Sequence, residues 1–205
     1  MTPTTPSSPP GAERIVLAGG CFWCTEAVFR ELRGVVSVMP GYAGGTVDRP
    51  SYEDVCTGRT GHAEAIEVVY DPRVVSLHDL LVVFFTTHDP TTRDRQGPDT
   101  GTQYRSAVFY RTPEQRAVID AVVREVTEGR LYAKPLVTEV APLRTFWPAE
   151  EYHRDYYRRN PERGYCQAVI APKLAKFRAT HAERLVRSAA ASEPGTYPTA
   201  QSATK

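Results

Sequence analysis

The segment LAGGCFWCTEAVFR places Cys21 directly after Gly19-Gly20, at the start of an expected helix. A helix N-terminus carries unpaired N–H groups and roughly half a positive charge, which favour a thiolate. The thiolate is the nucleophilic form of cysteine, so this placement points to covalent chemistry at sulfur. A buried structural cysteine is the bland alternative. Cys24 completes a C-x-x-C with Cys21, which suits either a dithiol redox centre or half a zinc site. Zinc needs two more ligands at suitable spacing. Cys56 and Cys166 stand alone, and His62, His78, His88, His153 and His181 form no paired spacing with them, so no metal is expected. Phe22 and Trp23 are adjacent and cannot both point inward from one helix face. One of them should border the site.

A second cluster lies in TGHAEAIEVVYDP, where His62 and Glu64 share a strand face if Ala63 points the other way. The H-x-E spacing has no P-C-x-x-C downstream, which argues against a deaminase-type zinc site. A solvated polar pair at a strand edge is the simplest reading. Yet Glu64 stands just before an apolar strand, where burial lifts a carboxyl pKa and keeps it protonated. A neutral carboxylic acid beside a thiolate is a proton donor for a leaving oxygen. RQGPDTGTQYRS adds Asp99, Tyr104 and Arg105, and SYEDVCTG adds Tyr52 and Cys56, each weak by itself.

These groups need a scaffold. Ile15 to Leu17 form an apolar run closed by Gly19-Gly20, as in a buried strand. A helix is expected from Cys21 to about Arg33, stopped by Gly34. Val35 to Tyr42 reads as a strand, and Ile66, Val68 and Tyr70 alternate in another. Ser76 and Asp79 cap a helix whose stripe is Leu77, Leu80, Leu81, Phe84 and Phe85. Residues 106 to 110 form a strand. Thr112, Pro113 and Gln115 open a helix that buries Val118, Val122 and Val126, flanked by Ile119 and Val123, and ends at Gly129. Leu136 to Val140 reads as a last core strand. An aromatic, charged helix around Tyr152 to Arg158 and a basic helix follow. Irregular alternation favours an α+β sandwich, with helices over a mixed sheet, above a doubly wound fold.

The 205 residues suffice for one well-packed domain, placed at 13 to 186, and that stretch shows no repeat or linker-like segment. Residues 1 to 12 and 187 to 205, rich in Pro, Ser, Thr and Gly, are expected to be disordered tails. Lys and Arg total 25 against 24 for Asp and Glu, a formal charge of +1, so no broad field recruits nucleic acid or an anionic membrane. No apolar run approaches the ~18 residues of a membrane-spanning helix, and the start lacks secretory-signal grammar. A cytoplasmic location is expected.

Taken in order, GGCFWCTEAVF, GYAGG, SYEDVCTGRTGHAEAIEVVYDP, FFTTHDPTTRDRQGPDTGTQYRSAVFY, FWPAEEYHRDYYRRNP and GYCQAVIAPKLAKF resemble the peptide methionine sulfoxide reductase A family over roughly 13 to 178. The resemblance implies a two-layer α+β fold, a ferredoxin-like core with long excursions. It implies reduction of the S epimer of methionine sulfoxide, free or in proteins, with electrons from thioredoxin or dithiothreitol and no cofactor. A monomer is expected. Carried across, Cys21 is the nucleophile, and Phe22 and Trp23 wall a pocket for the substrate methyl group. Glu64 protonates the sulfoxide oxygen, helped by Tyr52 and Tyr104, and Asp99 supports the site. Pro98 stands where the family more often has Asn, which puts the Asp99 loop in question. Cys166 matches the family's C-terminal recycling position and stands ahead as the resolving thiol. Cys24 replaces a common Gly and competes with it. Cys56 is expected to be a buried structural thiol. Two rivals remain: a thioredoxin-like dithiol–disulfide oxidoreductase running on Cys21 and Cys24, and a non-catalytic binding module.

Overall fold

Alternation sorts the strand residues into two faces. Ile15 and Leu17 join one core cluster while Val16 and Ala18 join another, and Ile66 and Val68 are divided from Ala63 and Ala65 in the same way. In the computed structural model, which describes residues 10–186, these strands are β1 (Glu13–Gly19) and β3 (Ala63–Tyr70). The chain runs β1, α1 (Phe22–Phe29), β2 (Val35–Ala43), α2 (Tyr52–Cys56), β3 and α3 (Leu77–Thr87). It continues through the short hairpin β4 (Arg95–Gln96) and β5 (Asp99–Thr100), then β6 (Ser106–Tyr110) and α4 (Pro113–Glu128). The edge strands β7 (Glu139–Pro142) and β8 (Phe146–Pro148) precede α5 (Tyr156–Arg159) and α6 (Ala171–Thr180). The expected tail 187 to 205 and the first nine residues of the expected tail 1 to 12 lie outside the described residues.

The main sheet has the order β7-β6-β1-β3-β2-β8. Its centre, β6-β1-β3-β2 with α1 and α3 as crossovers, is the β-α-β-β-α-β arrangement of a ferredoxin-like core. Neighbouring strands are antiparallel except β6 and β7, which are parallel, so the sheet is mixed. Helices supply Val28, Phe29, Leu80, Phe84, Ile119, Val122, Leu174 and Phe177 to the core on one face. The opposite face is lined by Ala18, Ala43, Ala63, Ala65 and Ala107, and Ala141, Leu143 and Phe146 pack over it. Small side chains there let the returning chain lie close.

Local grammar explains most boundaries. The hydroxyl oxygens of Ser76 and Thr112 accept from the N–H groups of Asp79 and Gln115, capping α3 and α4. Gln115 does not complete a reciprocal box. Its side chain accepts from Arg111 N–H and donates to the Arg14 carbonyl, stapling α4 to β1. Three boundaries shift from the expected ones. α1 stops at Phe29 rather than about Arg33, and the chain turns at Gly34 with φ +90°. The last core strand begins at Glu139, not Leu136, because Val137 N–H is donated to the Pro90 carbonyl outside the sheet. The helix expected at 152 to 158 is broken: a 3-10 turn Glu151–His153 is divided from the α-helix Tyr156–Arg159 by Asp155, which adopts a left-handed conformation at φ 52°. β8, which the pattern did not announce, pairs with β2 as an edge strand, a place that tolerates its closing Pro148.

Candidate active site

β1 ends in Gly19-Gly20, and Gly20 has φ +88°. A Cβ there would meet Gln96 Cγ at 2.5 Å, so the tight reversal into α1 has room for glycine only. This turn puts Cys21 at the N-cap of α1, with its carbonyl accepting from Cys24 and Thr25 N–H at 3.1 and 3.4 Å. Cys21 is buried at 7% exposure. The next backbone N–H, that of Phe22, donates to Glu64 Oε2 at 3.0 Å. One hydrogen bond therefore ties the strand carboxyl to the residue after the thiol.

Glu64 is 1% exposed. Burial, opposed by the Phe22 N–H and reinforced by the charges of Asp99 and Cys24, pushes its pKa up to about 8. It is a protonated acid at pH 7. His62 is buried too, but accepts from Gly45 N–H through Nδ1 and meets the Val47 carbonyl through Nε2. It braces the turn after β2 rather than joining Glu64. Neither residue is a solvated edge group. The hydroxyls of Tyr52, on α2, and Tyr104, on a 3-10 turn Thr102–Tyr104, are raised by burial and by the neighbouring Glu64 charge, so both stay protonated.

The two thiols of the C-x-x-C act on each other. Burial first, then the neighbouring Cys24 thiol and the Glu64 charge, raise Cys21, whereas the Cys21 thiol and Lys173, against burial, bring Cys24 down to about 7. The charge expected on Cys21 is thus shared within a pair that loses one proton. Cys24 Sγ lies 3.7 Å from Tyr165 Oη, and that hydroxyl donates to Asp99 Oδ2 at 2.6 Å. Asp99 thereby reaches the thiol pair through Tyr165. The hairpin survives Pro98 because the Gly97–Pro98 turn joins β4 and β5 outside their paired residues. Cys166 is fully buried, next to Tyr165 at the start of a π-helical turn Cys166–Ile170; burial and then the charge of Cys24 raise its pKa. Cys56 corrects the sequence reading: it is exposed at the last position of α2, not buried. All four cysteines are free thiols.

Phe22 and Trp23 both border the site. Phe22 is buried against Tyr52, with ring centroids 6.3 Å apart, and against His153 at 4.9 Å. Half-buried Trp23 donates Nε1–H to His153 Nδ1 at 3.0 Å and stacks on Tyr156 at 3.7 Å, 6° from parallel. Glu150 accepts from Tyr42 Oη and Tyr52 N–H, fixing α2 against β2. The sequence reading missed Tyr165, His153, Tyr156 and Glu150 as members of this constellation. Tyr165 had one signal, its place beside Cys166. On the other side of the Gly19-Gly20 turn, a cavity of about 510 Å³ is lined by His88, Gln96 and Lys173, the cation that lowers Cys24. Among the described residues no group of three metal-ligating side chains converges, and no helix is long and apolar enough to cross a membrane.

The family model for peptide methionine sulfoxide reductase matches residues 13–185. The chain belongs to the peptide methionine sulfoxide reductase family. It is 59% identical over 166 residues to a peptide methionine sulfoxide reductase MsrA of Thermus thermophilus, covering 81% of this chain and 93% of that one. Reduced Mxr1 from Saccharomyces cerevisiae superposes with a TM-score of 0.73 at 36% identity, over 78% of this chain and 92% of that one. Mxr1 in complex with Trx2 gives a TM-score of 0.53 at 28% identity, over 75% and 91%. The protein is thus an enzyme of thiol-dependent methionine sulfoxide reduction, and the binding-module and dithiol-oxidoreductase readings give way.

Proposed function

We propose that the enzyme reduces the S epimer of methionine sulfoxide, free or in proteins, with Cys21 as nucleophile and Glu64 as proton donor. One observation carries the assignment: a carboxyl group kept neutral by burial is hydrogen-bonded to the residue that follows the thiol. A sulfoxide sulfur is electrophilic, but its oxygen leaves poorly unless protonated as the sulfur is attacked. Cys21 thiolate attacks sulfur while Glu64, with Tyr52 and Tyr104 as further donors, supplies the proton to oxygen. Phe22 and Trp23 receive the methyl group. Oxygen passes to Cys21 as a sulfenic acid, and the thioether, reduced by two electrons, departs.

A second thiol then attacks Cys21 sulfur, releasing water and leaving a disulfide. Cys24 is placed ahead of Cys166 as that thiol because it shares the first turn of α1 with Cys21, its N–H donating to the Cys21 carbonyl. A dithiol of the thioredoxin class reduces the disulfide by exchange, a reading supported by the Mxr1–Trx2 complex. No cofactor is required, and a monomer suffices since each named group comes from one chain.

Dithiothreitol-driven turnover of the separated epimers of N-blocked methionine sulfoxide tests this. Turnover of the S epimer alone, abolished in Cys21→Ser, is expected. Equal turnover of both epimers, or retained activity in Cys21→Ser, sinks it. One equivalent of sulfoxide without reductant should leave a Cys21–Cys24 disulfide by mass spectrometry; a Cys21–Cys166 disulfide in its place restores Cys166 to the resolving role.

A further inference from the structure

We infer that Glu26, a residue outside the reacting set, positions the aromatic wall of the sulfoxide pocket by holding Asp155 and Tyr156 so that Tyr156 stays stacked on Trp23. The inference rests on the pocket assignment above. Glu26 sits on α1, five residues beyond Cys21, and is 1% exposed. A buried carboxylate is costly unless paired, and on its own helix Glu26 has Arg30 3.6 Å away. A further partner comes from across the molecule: Asp155 N–H donates to Oε1 at 2.9 Å. Asp155 is the N-cap of α5, and its own side chain makes no cap. Glu26 does that work from another helix.

The consequence reaches the pocket in one step. Tyr156 is the first residue of α5, and its ring lies flat on the Trp23 indole, three residues before Glu26 on α1. Glu26 and the stack therefore clamp α5 at two points, one polar and one aromatic. Asp155 makes this N–H contact in the left-handed conformation, which an L-residue adopts at a cost. Removing the carboxylate removes what stabilises that conformation, and α5 is then free to carry Tyr156 off Trp23.

The clamp responds to pH. Burial brings Glu26 up to about 7, against the pull of the Asp155 N–H. The charged groups facing it are Arg30 on its own helix at 3.6 Å and the Asp155 carboxylate, itself 3.4 Å from Arg30. Across the adjoining cavity of about 380 Å³ stand Glu31, Tyr157, Arg158 and Arg178, with Glu31 and Arg178 paired and Arg158 3.7 Å from Asp155. An ionised carboxylate accepts roughly twice as strongly as a neutral one, so the wall is firmest above about pH 7.

Steady-state kinetics with N-blocked methionine S-sulfoxide and saturating dithiothreitol test the inference from pH 6 to 8. In the wild type, KM falls as pH rises through about 7. Glu26→Gln keeps a neutral acceptor, so its KM should stay flat at the wild-type acid-side value. Glu26→Ala should raise KM about three- to tenfold, the worth of one aromatic stack, with kcat within about twofold. Trp23 emission should shift in Glu26→Ala. A Glu26→Gln variant that retains the wild-type pH response of KM, or losses that fall equally on kcat and KM, would overturn the inference. If Glu26→Ala fails to fold, the Glu26→Gln profile decides alone. Wild-type turnover in the same assay keeps the reductase reading independent of the result.

Discussion

Glu64 and the Cys21–Cys24 pair set opposite ends of one pH window. The pair yields its first proton near 7, where Cys24 is brought, and Glu64 gives up its proton near 8. The reaction needs a thiolate and a protonated acid, so kcat/KM should rise through about pH 7 and fall beyond about pH 8. Glu64→Gln should lower kcat by about 10²–10⁴ and erase the alkaline limb of the profile. The same substitution should stabilise the fold in alkali. Glu64 has its pKa raised above the ordinary 4.5, so its contribution to stability is full below about 4.5 and is lost as pH rises through about 8. Thermal melts should show Glu64→Gln ahead of wild type at pH 9, by on the order of a few kcal/mol, and level with it near pH 4. Cys21 and Glu64 were legible because short motifs carry them on a strand end and a helix start. Tyr165 and Glu26 were not, since their partners lie 141 and 129 residues away in sequence. Cys56 misled because a cysteine after Val55 looks like core, whereas α2 is five residues long and only Val55 of it is buried.

At the scale of elements, caps and turns do separable jobs. Thr112→Ala removes the cap of α4, far from the thiols, and should cost about 1 kcal/mol in denaturant unfolding with kcat unchanged. Gly20→Ala asks an L-residue to hold φ +88° and pushes into Gln96, whose amide bridges Asp89 N–H and carbonyl. It should lower turnover at least about tenfold while far-ultraviolet circular dichroism stays native, because the strained turn is the one that aims Cys21. The first strand was readable from the apolar run Ile15 to Leu17, those around 35–42 and 66–70 from alternation, and the long helices from their caps. The break at Asp155 was not. Its left-handed backbone is held by Glu26 from another helix, and no local pattern encodes that.

The whole molecule closes on itself behind α1. Arg33 N–H donates to the Arg184 carbonyl, Val186 N–H to the Glu31 carbonyl, and Leu32 bridges Leu185, so the chain after α6 ties back to the turn that follows α1. The segment carrying Tyr165 and Cys166 is thus anchored on its C-terminal side. Sheet order was legible only as a class, since alternation says which residues face inward but not which strands are neighbours.

Strand parity also sets which changes of length a lineage can survive. Glu64 looks toward α1 and Ala63 and Ala65 look away, so removing one residue ahead of Glu64 with the strand end held fixed puts an alanine in the acid's place and turns the carboxyl into the alanine-lined face. No compensating point substitution repairs that, because every later residue of the strand has changed sides as well. A residue inserted between Asp48 and Arg49, both exposed in the connection after β2, should instead leave melting temperature and turnover close to wild type. Loop length in that connection is therefore free to vary in this fold, while pairing on both sides holds the count of residues along the acid-bearing strand.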